Sequence, residues 1–170
     1  MDIETKNLIL KKPQNTLDAE KCHKNFWSSY KTAEYMLWRP TKNVEEAKEK
    51  MGKWIEYQKD HLQWFIYEKR IDEPIGFFSV EKIDDRNFGS LGLCFGEKFV
   101  GKGYGYEVMK TMLSYLKQLG CKQIEYSFLS GNIASQKLAE KLGFKFSYKE
   151  KRIRKYDSKE FDEIFYTKML

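Results

Sequence analysis

Phe99-Val-Gly-Lys-Gly-Tyr-Gly-Tyr-Glu107 sets three glycines at alternate positions between two patterns of different period. Before it, Leu91, Leu93 and Phe95 alternate along Leu91-Gly-Leu-Cys-Phe95, the period of a strand. After it, Val108, Met109, Met112, Leu113, Leu116 and Leu119 recur at helical spacing, and Gly120 supplies a stop. A strand that enters a glycine loop and then a helix leaves main-chain N–H groups pointing outward at the positive end of the helix dipole. Such a place suits phosphate. Glycine there permits close approach of a ligand and backbone of positive φ, and Lys102 adds a cation.

The spacing excludes two familiar phosphate motifs. No Gly-x-x-x-x-Gly-Lys-Ser/Thr string occurs, and the sixth position counted from Gly101 or Gly103 is Tyr106 or Val108, where a dinucleotide fingerprint needs glycine. The remaining chain has no linker or low-complexity tract. Leu8–Leu10 reads as a first strand, and residues 16–37 as one or two short helices closed before Pro40. A longer helix begins after Asn43, which forms a capping box with Glu46; its apolar face is Val44, Ala47, Met51, Trp54 and Ile55. Gln63–Arg70 and Ile75–Ile83 read as strands, with a turn at residues 71–74. Cys121–Leu129 follows the glycine-loop helix as a strand, and a hairpin about Asp157-Ser158 closes the pattern. Short turns imply antiparallel neighbours, whereas the single strand–helix–strand crossover over residues 90–129 implies one parallel pair. The expected class is α+β: a mixed, mostly antiparallel sheet of about six to seven strands flanked by helices.

The loop, aligned as Val100-Gly101-Lys102-Gly103-Tyr104-Gly105, resembles the pyrophosphate-binding segment of the GNAT superfamily of N-acetyltransferases. Asn132-Ile-Ala-Ser135 and Glu140-Lys-Leu-Gly143-Phe144 resemble that family's second helix motif. Thr5-Lys-Asn-Leu-Ile-Leu-Lys11 and Gly103-Tyr-Gly-Tyr-Glu107 are similar to the RimJ/RimL-type branch. The likeness implies a parallel pair that splays apart to admit acetyl-CoA as co-substrate. The pantetheine arm would bond the main chain of Leu93, Cys94 and Phe95, whose donors face the thioester carbonyl. The segment Val100, Gly101, Lys102, Gly103, Tyr104 and Gly105 would hold the pyrophosphate, with Asn132 on the arm or capping its helix.

In this family a neutral amine attacks the thioester directly. The amine must lose a proton, and the leaving thiolate must gain one. The tyrosine that many members use as acid is replaced here by Ala139. The branch likeness puts Ser135 beside the sulfur instead. Glu68 and Glu81 are candidate bases, with Glu81 preferred. Val100 stands where Gln or Arg is common, so one side-chain contact to phosphate is lost. Trp27, Tyr30, Tyr35, Trp38 and Trp54 would border the acceptor cleft or fill the core. The acceptor would be a protein N-terminus, a polyamine or another small amine, and a homodimer is compatible with the likeness.

The 170 residues suit one domain over 1–170, and no apolar run reaches the roughly 18 residues of a membrane span. Met-Asp-Ile-Glu-Thr-Lys lacks the apolar segment of a secretory signal. Cys22, Cys94 and Cys121 have neither disulfide nor zinc spacing, so no metal is expected and reduced core thiols fit a cytoplasmic protein. The net charge of +6 is spread out, with one concentration, Lys149–Lys155, read as a solvated strand face. Two other functions stay open. Ala139 would suit a non-catalytic acyl-CoA-binding module, and the basic run would suit nucleic acid.

Overall fold

A narrow hairpin, β1 (Ile3–Glu4) and β2 (Leu8–Lys11), starts the sheet in a computed structural model that describes residues 2–170 and, at Ser90, the main chain only. Short helical pieces follow: α1 (Ala19–Cys22), a π turn (His23–Trp27) and α2 (Tyr30–Ala33). Then come α3 (Val44–Tyr57), β3 (Leu62–Glu68), β4 (Glu73–Lys82) and β5 (Asn87–Phe95). A 3-10 turn (Glu97–Phe99) precedes α4 (Tyr104–Gln118), β6 (Gln123–Leu129) and α5 (Ile133–Lys141). The hairpin β7 (Lys145–Ile153) and β8 (Glu160–Met169) completes the chain.

The eight strands lie in the order β1-β2-β3-β4-β5-β6-β8-β7, every neighbouring pair antiparallel except β5–β6. The expected six to seven strands become eight because Ile3–Glu4 pairs with Leu10 and Ile9, a strand too short to show a period. Alternation along the strands sorts side chains between two cores. Trp64 and Ile66 of β3, Phe78 of β4 and Ile124 and Tyr126 of β6 face α4 and α5. Phe65 and Tyr67, Phe77 and Cys94 face α1, the π turn and α3. The apolar stripe of α4 from Val108 to Leu116 is buried as its spacing requires, and Gly120, at φ +96°, ends the helix.

Two local readings are refined. Asn43 Oδ1 accepts from the Glu46 N–H at 2.9 Å, but the Glu46 carboxylate reaches back to the Lys42 N–H rather than to Asn43. The basic run on β7 is largely paired: Lys149 and Lys151 meet Asp162, Arg152 meets Glu163, and Arg154 meets Asp157. Arg154 is buried, so it does not belong to a solvated face.

Candidate active site

The parallel pair opens at one rung. β5 and β6 are in register at Asn87–Gln123, Phe88–Ile124 and Leu91–Tyr126, and beyond Leu91 the two strands part. On its other side β5 stays paired to β4 as far as Phe95, which meets Gly76. The Gly96 N–H donates to Ile75 at 2.9 Å. Hydrogen-bonding groups alternate sides along a strand, so Cys94 turns its main chain to β4, while Leu93 and Phe95 turn theirs to the opening. The Cys94 thiol lies in the core on the α3 face, where burial pushes it up to about 12. Of the three residues expected to meet the pantetheine arm, Leu93 and Phe95 have main-chain groups free to do so.

A cavity of about 570 Å³ fills the wedge between the strands. Its floor is Leu93 and Phe95 on one side and Tyr126 on the other, closed by Asn132, Ser135 and Leu138 of α5. At the wide end lies the glycine loop. Gly101 and Gly103 have φ of +77° and +79°, and a Cβ at either would meet nothing within 4 Å, so backbone conformation, not crowding, requires glycine there. Gly105, inside α4, is a packing glycine: its missing Cβ would lie 3.3 Å from Leu138 Cδ2 and 3.7 Å from Leu93 Cδ2. No side chain among the described residues caps α4, and its first internal acceptor bond runs from the Glu107 N–H to Gly103, which leaves the amides of Tyr104, Gly105 and Tyr106 free among those residues. Three free amides at a positive helix end are able to hold an anion beside the wedge.

The helix start is fixed from two directions. The Tyr104 hydroxyl donates to the buried Glu68 carboxylate at 2.6 Å, and Arg70 adds a bond at 2.9 Å. These donors hold Glu68 below its usual range, and donating to it raises the Tyr104 phenol. Glu68 is thus an anchor of the loop rather than a free base. Glu107 accepts from Thr5 Oγ1 and from the Asn7 N–H and Nδ2, tying the β1–β2 turn to α4.

Other expected site residues are placed as follows. Asn132 Oδ1 accepts from the Ser135 N–H at 3.2 Å, so Asn132 caps α5 and lines the cavity at once. Ser135 faces the cavity. Val100 is exposed on its wall, whereas the Lys102 ammonium folds over the Phe99 and Tyr104 rings at 5.3 and 5.8 Å. Lys137 and Lys141 of α5 supply cavity-lining cations that the sequence reading missed. Glu81 is not in the cavity lining. It pairs across β4–β5 with Gly89, on the face opposite α4, and accepts from Tyr57 at 3.4 Å. Of the five aromatics, Tyr35 lines the cavity, Trp27 lies in the α3-side core with Trp38 and Trp54 packed against it, and Tyr30 is exposed. Ala139 is fully buried against the α4-side core, so tyrosine has no room there.

The family profile for an acetyltransferase (GNAT) domain matches residues 7–145. The chain belongs to the GNAT acetyltransferase family. Solved structures share its fold from end to end at low identity. A GNAT acetyltransferase from Bacillus anthracis is 19% identical with a TM-score of 0.83, covering 99% of this chain and 98% of that one. An acetyltransferase from Salmonella typhimurium that modifies the N-terminal serine of a 50S ribosomal subunit protein is 15% identical, TM-score 0.80, covering 100% and 99%. A microcin self-immunity acetyltransferase, solved with acetyl-CoA and AMP, is 18% identical, TM-score 0.81, covering 97% and 93%. An uncharacterized protein of Methanocaldococcus jannaschii is 29% identical over 103 residues; the match covers 54% of this GNAT chain but only 21% of that longer protein. No helix among the described residues is long and apolar enough to cross a membrane.

Proposed function

We propose that this protein transfers the acetyl group of acetyl-CoA to a primary amine, with the N-terminal α-amine of a protein as the favoured acceptor. The observation that carries the reading is the wedge beyond the Leu91–Tyr126 rung, with the uncapped start of α4 at its wide end. Pyrophosphate sits on the free amides of Tyr104–Tyr106, and the pantetheine arm extends along Leu93 and Phe95 as an added strand. A main-chain N–H of β5 facing the wedge meets the thioester oxygen and stabilises the tetrahedral intermediate. Lys137 and Lys141 add attraction for a polyanionic cofactor.

The acceptor preference draws support from the Salmonella typhimurium neighbour that modifies an N-terminal serine, though at 15% identity that likeness concerns the fold. Two observations weaken the other readings. Ala139 faces the core rather than the cavity, so its small size says nothing against catalysis. The cations of β7 are mostly engaged by acids of the same hairpin, which lowers the charge offered to nucleic acid.

A thiol-release assay with acetyl-CoA tests the reading against three acceptor sets: Ser-initiated peptides, spermidine, and small monoamines. Turnover highest with the peptides is expected. Preference for spermidine or a monoamine would redirect the acceptor assignment, and no calorimetric binding of acetyl-CoA would reject the site.

A further inference from the structure

Tyr126 stands where the wedge closes. It is the β6 member of the last parallel rung, only 2% exposed, and it lines the cavity together with Ser135. Its ring is fixed edge-on between Phe128 and Phe144, with centroids at 5.6 and 5.9 Å. An arm that enters at the glycine loop and follows β5 passes Phe95 and Leu93 before reaching the level of Leu91. The four steps from Phe95 to Leu91 span about 13 Å at ~3.3 Å each. The reacting end of the cofactor therefore arrives at the narrow end of the wedge, beside Tyr126 and Ser135.

Leaving thiolate needs a proton there, and the other phenols of the cavity are engaged or misplaced. The Tyr104 hydroxyl is already engaged, donating a hydrogen bond to Glu68 at 2.6 Å. Tyr106 belongs to the first turn of α4, at the phosphate end, under the Lys141 ammonium at 4.4 Å. Tyr35 lies against Gly131, past the far end of β6. The Ala139 methyl group has no acidic proton to give.

We propose that Tyr126 is the catalytic acid of this enzyme, giving its phenolic proton to the CoA sulfur as the C–S bond breaks, with Ser135 aligning phenol and sulfur. The amine nitrogen forms the new C–N bond, and the carbonyl collapses to the amide as the thiolate departs. The proton on the acetylated nitrogen passes through water to the tyrosinate, so an amine proton ends on the thiol and the phenol is restored. Burial pushes Tyr126 up to about 12, and the facing Ser135 hydroxyl offsets part of that rise. The phenol is therefore protonated at neutral pH and ready to donate. The proposal rests on the wedge being the acetyl-CoA site, and its test separates the two.

Hydroxylamine is the acceptor probe, because it is uncharged at neutral pH and needs no base, which isolates the leaving-group step. Tyr126→Phe keeps the ring contacts. It is expected to lower kcat by roughly 10²-fold while acetyl-CoA affinity and melting temperature hold. Ser135→Ala is expected to cost less, and the double variant to be about as slow as Tyr126→Phe alone, since both act on one proton. Tyr126→Phe turnover within about threefold of wild type, with acetyl-CoA still bound, would overturn the proposal and leave the cofactor site standing. A wild type that binds acetyl-CoA yet does not speed thiol release to hydroxylamine would also overturn it. Failure of the wild type to bind acetyl-CoA would instead remove the site on which both readings depend.

Discussion

Arg154 and Asp157 form a two-point ion pair at the β7–β8 turn, with Nη2 to Oδ2 at 2.6 Å and Nε to Oδ1 at 3.0 Å. The pairing aims the remaining nitrogen, Nη1, at the end of α2. There it donates to the carbonyls of Ala33, Glu34 and Met36 at 3.2, 2.8 and 3.2 Å. The Arg154 bonds hold Asp157 below the ordinary carboxylate range. A hairpin at the edge of the sheet thus fixes α2 and the turn after it, whose Thr32, Tyr35 and Met36 line the cavity.

Arg154→Ala should loosen α2 and leave three carbonyls and a carboxylate without their donor. Breaking a buried charged network of this kind costs about 3 kcal/mol, measurable by urea unfolding. Acceptor KM should rise by roughly tenfold while acetyl-CoA KM changes little, because the glycine loop is anchored separately through Tyr104 and Glu68. Equal rises in both constants would contradict the division of labour.

Gly103 tests the proposed phosphate site. Its φ of +79° tolerates asparagine far better than other side chains, and a Cβ there meets no protein atom within 4 Å. Gly103→Asn should therefore fold and bind CoA within a few-fold of wild type. Gly103→Glu, which sets a carboxylate beside the free amides of α4, should weaken CoA by about 100-fold, or ~2.7 kcal/mol. Calorimetry on both variants checks the contrast, and similar affinities for the two would argue that phosphate lies elsewhere.

How far the sequence showed this arrangement depends on the range of each interaction. The order strand, glycine loop, helix and the stripe from Val108 to Leu116 were legible because they are local and periodic. The capping roles of Asn43 and Asn132 were legible for the same reason. Arg154 was not: its acceptors are about 120 residues away, and in the sequence it is one cation of a basic run. Tyr126 looked like any aromatic of a buried strand, since its distinction comes from where β5 leaves β6. The face of Glu81 is legible in the alternation of β4. Residues of one parity along β4 share a face, and Phe77 and Glu81 share the α3 face, away from the cavity.

Glu107 should make stability sensitive to acid. Burial opposes its charge, but donors from Thr5 and Asn7 prevail and hold its pKa below the usual 4.5. With the folded value depressed, the contribution is complete above the unfolded pKa and disappears as pH falls through the folded one. Glu107→Gln should cost about 1–2 kcal/mol at pH 7 and progressively less below pH ~4.5. Urea midpoints of wild type and variant that stay parallel from neutral to acid pH would refute this.

Lys50 carries the opposite sign. Its Nζ is buried without a hydrogen-bond partner among the described residues, 4.1 Å from the Trp38 ring and 5.0 Å from the Trp27 ring. It lies on the same side of α3 as Ala47 and Trp54, three residues before and four after. Burial lowers its pKa to about 8 from 10.5. The two indole faces recover part of the lost hydration. Below the folded value both folded and unfolded chains carry the proton and the full penalty is present. Between about 8 and 10.5 the unfolded chain binds more proton than the folded one, so stability rises with pH. Lys50→Met, which keeps the apolar stem and removes the charge, should therefore stabilise the protein by about 1–3 kcal/mol at pH 7. The gain should shrink toward pH 10, where the wild-type amine is neutral in the fold. Destabilisation by Lys50→Met at pH 7, or a gain that grows with pH, would mean that the ammonium between the indoles is a net contributor to the fold rather than a charge it tolerates.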